Sequence, residues 1–257
     1  MKSWVGVFSL LISTAICSFG YAEAAMPSLQ TTLTSTLGTA LDATQAATSV
    51  TFEPDLNYRW NDEQSVRAYA SLERPTNAYK NFSMPLSFVQ YRHRLLKNED
   101  WELSLRPRAS LMSLDRWSSD GVMVRSTLGL YAKYSFTDSL SVVLAVAPYV
   151  QFSEYRQTTS GETLPRHGIS ERATFAWTTG RTTLELDFLI EQKRHTDWKN
   201  NYVLAQSLSY DLDGTFSVGA SHELATSVID ESTGRGRSFS FFDSRRSRVS
   251  AFVEVIL

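Results

Sequence analysis

The chain has four histidines, His93, His167, His195 and His222, and these are where nucleophilic chemistry would have to start. A serine nucleophile needs its base within hydrogen-bond reach. On an extended strand, side chains share a face only at even spacing. None of the four histidines has a serine two residues later. Ser221 and His222 are adjacent and point to opposite faces of a strand, as do His167 and Ser170 in "HGIS" if extended. "HTD" (195–197) could set His195 beside Asp197 in a loop, although solvated loop residues are the plainer reading. No metal-ligand cluster, phosphate-binding glycine loop or other cofactor motif is present. Covalent catalysis is therefore poorly supported, and the chemistry to explain is that of fixed charge.

That charge is patterned. In "WELSLRPRASL" (101–111), Trp101, Leu103, Leu105, Pro107, Ala109 and Leu111 alternate with Glu102, Ser104, Arg106, Arg108 and Ser110. Arg92, Arg94, Arg106, Arg108 and Arg125 fall on the polar face of three consecutive alternating segments. Glu185, Asp187, Glu191, Glu223 and Glu254 fall on the polar faces of three later ones. Buried unpaired charges cost several kcal/mol each even after relaxation, so this face cannot be an ordinary core.

The elements that carry these charges are long strands. Period-two alternation runs through 50–60, 64–73, 84–95, 101–111, 122–136, 140–152, 168–178, 182–192, 201–211, 215–227 and 247–257. Globular strands have a mode of about 5–6 residues, whereas a membrane-crossing strand needs about 9–11. Short links, "NDE", "KNED", "TDS", "TTGR" and "DLDG", alternate strictly with longer ones at 74–83, 113–120, 154–167, 193–200 and 228–246. Transmembrane barrels have short periplasmic turns and longer outside loops. Segment 50–60 descends into a short turn, so an ascending element must precede it. "LQTTLTSTLGTAL" (29–41) is the candidate. Its leucines are four apart, which suits one face of a strand or of a helix, and within 25–48 either a first strand or a helical plug segment remains open. With a strand there the count is twelve. Pro54, Pro107 and Pro148 lie inside proposed strands; each removes a ladder hydrogen bond, so bulges or kinks are expected there.

Aromatic residues orient the faces. Tyr58, Trp60, Trp101, Tyr134, Phe136, Trp177, Tyr210 and Phe216 fall at the short-link ends of their segments, all on the apolar face. Phe52, Phe152 and Tyr202 lie near the opposite ends. Rings at two heights match the aromatic girdles of membrane barrels, and a soluble core would concentrate them mid-strand. The apolar face then points outward into lipid and the charged face lines a lumen. The last segment, "RVSAFVEVIL", alternates to its final residue.

On this pattern the whole stretch 25–257 resembles the Gram-negative outer-membrane β-barrel proteins, porin-like and of about twelve strands. That resemblance implies a closed antiparallel all-β barrel in the outer membrane, contacting its lipid and lipopolysaccharide. It also implies recognition of the C-terminal strand by the barrel assembly machinery. Such last strands usually end in an aromatic residue, and this one ends in Leu257.

The N-terminus fits export. Lys2 precedes the apolar stretch 4–17, and "AEA" (22–24) satisfies the small-x-small cleavage rule, which places a signal peptide at 1–24. Cys17 is the only cysteine, and the larger residue Ile16 before it disfavours lipidation. A net charge of −2 supplies no basic field for nucleic acid. In a twelve-strand ring the basic strands would face the acidic ones across the lumen. The expected function is a small passive pore for polar solutes or ions. A closed barrel with a structural or surface-binding role is the alternative, and a barrel hydrolase is a more remote one.

Overall fold

In the computed structural model, residues 27–40, 48–76, 83–113, 122–153, 166–194, 198–227 and 246–257 are described. The proposed signal peptide, His195, Asp197 and most of loop 228–246 lie outside them. The described residues form twelve strands: β1 (Ser28–Ala40), β2 (Thr48–Arg59), β3 (Gln64–Pro75), β4 (Ser83–Lys97), β5 (Trp101–Ser113), β6 (Val122–Ser135), β7 (Leu140–Ser153), β8 (His167–Thr179), β9 (Thr182–Arg194), β10 (Trp198–Asp211), β11 (Phe216–Ser227) and β12 (Ser247–Ile256). Each pairs antiparallel with its chain neighbours, and β12 closes on β1. Among the described residues no helix is long and apolar enough to cross a membrane. Of the candidate first segment, the residues up to Ala40 form a strand, paired with β2 from Ser28 to Thr39 and with β12 from Thr32 to Ala40, and Leu41 lies outside the described residues.

Alternation and register together assign every side chain to one wall. Leu103 and Leu105 point outward beside Ala132 and Leu130, while Arg106 and Arg108 point inward beside Gly129 and Thr127. The outward residues Leu128, Leu130, Leu144, Val146 and Val150 remain about half exposed, because no second layer covers them.

The short turns are built by their own polar side chains. The Asn61 carboxamide oxygen accepts from the backbone N–H of Glu63 and Gln64, and that of Asn98 from Asp100 and Trp101. The Thr137 hydroxyl does the same for Ser139 and Leu140, and Asp211 does so for Asp213 and Gly214. These are side-chain mimics of a backbone turn, which is why Asn, Asp and Thr occupy these positions. Gly180 and Gly214 supply the left-handed conformation, with φ of 56° and 85°.

Two expectations are corrected. The prolines produce no bulge. Pro54, Pro107 and Pro148 each keep register with one neighbour, opposite Leu33, Leu128 and Ile169. On the other side the ladder is interrupted around the proline and resumes in the same register. The irregularities lie on β4, where the register shifts between Arg94 and Leu96 against β5 and opposite the interval Ser71–Glu73 of β3. Second, 193–200 is not a long loop: Lys193 pairs with Lys199 and Arg194 with Trp198, so β9 and β10 run on to within three residues of each other.

Asp213 Oδ1 accepts from the N–H groups of Thr215 and Phe216, and these bonds hold its carboxyl below the ordinary range. Its contribution to the turn is therefore present above the usual aspartate pKa and lost as pH falls through the depressed value. Gly214→Val should cost about 1–2 kcal/mol, the penalty of a left-handed L-residue, read as a lower urea midpoint for the folded barrel in lipid vesicles. An unchanged midpoint would show that the turn relaxes freely.

Candidate functional site: the charged lumen

The register turns the ten charged side chains singled out in the sequence to the inner face of the barrel. Arg92 and Arg94 sit on β4, Arg106 and Arg108 on β5, and Arg125 on β6. Glu185, Asp187 and Glu191 sit on β9, Glu223 on β11 and Glu254 on β12. Their partners in register, such as Gly129 for Arg106 and Ser207 for Glu185, are inward too.

The two walls are less segregated than the sequence order suggests, because many charges pair locally. Glu102 accepts from Arg92, and its second oxygen lies 3.5 Å from Arg94. Asp187 takes Arg172 at 2.9 Å and the Thr174 hydroxyl at 2.6 Å. Arg67, which the alternation did not single out, is bound to Asp55. Two bridges reach across intervening strands. Arg125 of β6 donates to Glu191 of β9 at 2.8 Å and to Gln151 at 3.0 Å, and Lys193 holds the other oxygen of Glu191 at 2.7 Å. Arg248 of β12 reaches Glu73 of β3 at 3.3 Å and also donates to Ser49. Glu254 receives the Thr34 hydroxyl at 3.4 Å.

Five of these ten charges stand apart. Arg106 and Arg108 make no ion pair with a carboxylate among the described residues, and Glu185, Glu223 and Glu254 make none with a base. Arg106 is held by its own strand and by an aromatic face: it donates to Ser104 at 3.1 Å and its guanidinium lies 4.2 Å from the centre of the Tyr131 ring. Arg108 lies 5.2 Å from the centre of the Phe88 ring. Such contacts hold a guanidinium without neutralising it. The strands β5 and β11 lie halfway round the ring from each other, which puts Arg106 and Arg108 on the opposite side of the ring from Glu223.

Inward glycines make room for the large inner side chains. A Cβ at Gly129 would meet the Tyr131 ring at 2.5 Å, one at Gly219 the Phe252 ring at 2.3 Å, and one at Gly38 the Arg248 side chain at 2.6 Å. At Gly168 it would meet the Tyr149 hydroxyl at 2.4 Å. Each notch lets a bulky group lie flat against the wall. The space left includes a cavity of about 530 Å³ bordered by Glu53, Glu73, Glu223 and Arg248, and one of about 270 Å³ bordered by Asp55, Arg67, Arg92 and Arg106.

The eight aromatics singled out at the short-link ends lie on the outer face, at that end of the barrel. Trp101 packs on Tyr134 at 4.7 Å, and Tyr134 edge-on to Phe136 at 4.7 Å. Trp60 joins Tyr58 to Tyr91, each at 5.9 Å, which brings in Tyr91, a residue the strand-end criterion missed because it lies mid-strand in β4. Trp177, Tyr210 and Phe216 complete the ring, largely exposed. Phe52 and Phe152 are exposed towards the other end, but Tyr202 is buried with Leu204 and Leu224, with Phe188 against them.

The described histidines, His93, His167 and His222, lie on three separate strands, β4, β8 and β11. His93 stacks on Tyr91 on the outer wall, His222 points outward while Ser221 lines the lumen, and the Ser170 hydroxyl donates to the Ala147 carbonyl. Among the described residues no three His, Cys, Asp or Glu side chains are grouped to hold a metal.

No protein-family model matches the sequence, and a comparison with curated proteins finds no match. Solved structures do match. The KdgM porin in complex with disordered oligogalacturonate shares 15% identity, with 87% of this chain and 98% of that one covered and a TM-score of 0.54. The NanC porin shares 10% identity, with 88% and 98% covered and a TM-score of 0.56. The COG4313 outer membrane channel of Pseudomonas putida F1 shares 8% identity, with 94% and 100% covered and a TM-score of 0.56. The fold is that of the porin-like outer-membrane barrels. At these identities the likeness is one of fold, and it extends over almost the whole length of each of these proteins.

Gly219→Ala should destabilise the barrel by about 1–3 kcal/mol through overpacking against Phe252 and the Leu208 carbonyl. Adding Phe252→Ala should restore part of the loss, measured as the urea midpoint in vesicles. Simple additivity of the two losses would refute the notch.

Proposed function

We propose that this protein is an outer-membrane pore for small polar solutes or ions, with a transverse field across its lumen. The observation that carries the reading is the set of charges without an ion pair among the described residues: Arg106 and Arg108 on β5, Glu223 across the ring on β11, and Glu185 and Glu254 on β9 and β12. Rings of charged side chains set selectivity in pores. Opposed charges of this kind align a dipolar or zwitterionic solute and slow an apolar one. Water in such a lumen also removes the cost of leaving these groups without partners. The locally paired charges serve a different purpose, holding the inner side chains against the wall.

The short turns then face the periplasm, and the aromatic ring at their level is the periplasmic girdle. Lipid and lipopolysaccharide contact the apolar wall. The closing strand β12 is the segment that the assembly machinery would read, and the leader 1–24 would be removed on export.

Purified, folded protein should give discrete single-channel conductance in planar bilayers; its absence would favour a closed structural barrel. Arg106→Glu should move the reversal potential in a salt gradient towards cation preference, and Glu223→Gln should move it towards anions. An unchanged reversal potential in both variants would remove these residues from the permeation path. Oligogalacturonate, the ligand in the KdgM complex, is a suitable anionic solute for current-block measurements.

A further inference from the structure

Glu171 is out of place on an apolar wall. It lies mid-strand in β8, opposite Val146 of β7 and Ile190 of β9, and so points outward. Its neighbours on the same face of the strand are Ile169 and Ala173. The other outward-pointing charged residues within the described strands, Arg74 and Arg194, lie at the long-loop rim. Glu171 is exposed, and makes no ion pair or hydrogen bond among the described residues. Acyl chains offer a carboxylate no donor, so a charge at this depth is costly.

The outer wall has a second polar feature at comparable depth. Gln206 of β10 points outward, exposed, with its amide nitrogen 3.1 Å from Nδ1 of His222 on β11. Glu171 and Gln206 flank β9 on its two sides, and β9 between them presents Leu184, Leu186, Phe188 and Ile190, with Gln192 beyond them toward the long-loop rim. A carboxylate on one flank and an amide donor on the other are complementary but cannot meet within one barrel, because β9 separates them.

We propose that this face binds a second copy of the chain about a two-fold axis parallel to the barrel axis and passing beside β9. Such an axis sets the β8 flank of each copy against the β10 flank of the other. Glu171 of each then accepts from the second amide N–H of the partner's Gln206, and the two β9 strands form an apolar centre. This is the self-complementary pattern of an isologous interface, in which each contact occurs twice. A different partner protein would need only one polar group here, and lipid would need none. The paired placement of donor and acceptor selects a second copy.

Cysteine cross-linking tests it cleanly, since the chain's only cysteine, Cys17, lies in the proposed leader. Glu171→Cys and Gln206→Cys are placed in separate, differently tagged copies, co-expressed, and oxidised in isolated outer membranes. The mixed 171–206 cross-link should dominate over 171–171, over 206–206, and over a control pair at Leu56 and Ala68 on the far wall. In native mass spectrometry, Glu171→Leu should lower the dimer fraction at least about tenfold, while Glu171→Gln, which still accepts a hydrogen bond, should largely keep it. Only protein that shows the heat-dependent gel shift of a folded barrel is counted. A wild-type chain that stays monomeric at every protein-to-lipid ratio overturns the proposal. So does a mixed cross-link no stronger than the control, or a Glu171→Leu dimer equal to wild type.

Discussion

The structure depends on one constraint: a strand that crosses lipid must have every backbone N–H and C=O paired, and only a closed ladder provides this. Closure is made where the first and last strands, β1 and β12, meet. Thr31 and Leu257 exchange hydrogen bonds at 3.2 and 2.8 Å, and from there β1 and β12 pair along the seam as far as Ala40 and Arg248. The final residue is thus part of the ladder. The same constraint explains how the prolines are tolerated. Each missing donor is confined to one side of its strand, and the register is held by the unbroken ladder on the other.

Closure forces the alternation to do two jobs. Half of every strand faces outward with no covering layer, and half faces a confined interior. The interior is where the chain resolves most of its electrostatics. Carboxylates recruit arginines from neighbouring strands, and in two places from strands further round the ring, as with Arg125 and Glu191 or Arg248 and Glu73. Glycines on the inner face keep these arrangements flat. A side chain at Gly38 or Gly168 would push Arg248 or Tyr149 toward the lumen axis. What remains without an ion pair among these charges, Arg106 and Arg108 on β5 and Glu185, Glu223 and Glu254 on β9, β11 and β12, is what the proposed pore would present to a solute.

Much of this was legible in the chain. Period-two alternation makes strand position and facing local properties, so Arg106 and Arg108 could be set against Leu103 and Leu105 without knowing any neighbour. Turn chemistry is equally local: Asn61, Asn98, Thr137 and Asp211 announce their turns because each bonds backbone only two or three residues away. The segment 29–41 was ambiguous because leucines four apart fit both periods, and only its pairing with β2 and β12 made it a strand.

Pairing across the ring was not legible. Nothing near Arg125 in sequence says that it will hold Glu191 while Arg108 stays free, since that depends on which strands the closed ring brings within reach and on how small the residues between them are. Nor does the alternation mark Arg67 or Tyr91 as members of their clusters, because their partners, Asp55 and Trp60, come from neighbouring strands. The sequence by itself determined the strands, their faces and the turns, because side-chain period and short-range hydrogen bonds depend only on nearby residues. The tertiary structure alone decided the register, the seam and which charges are neutralised, because those follow from the stagger of twelve strands closing on themselves.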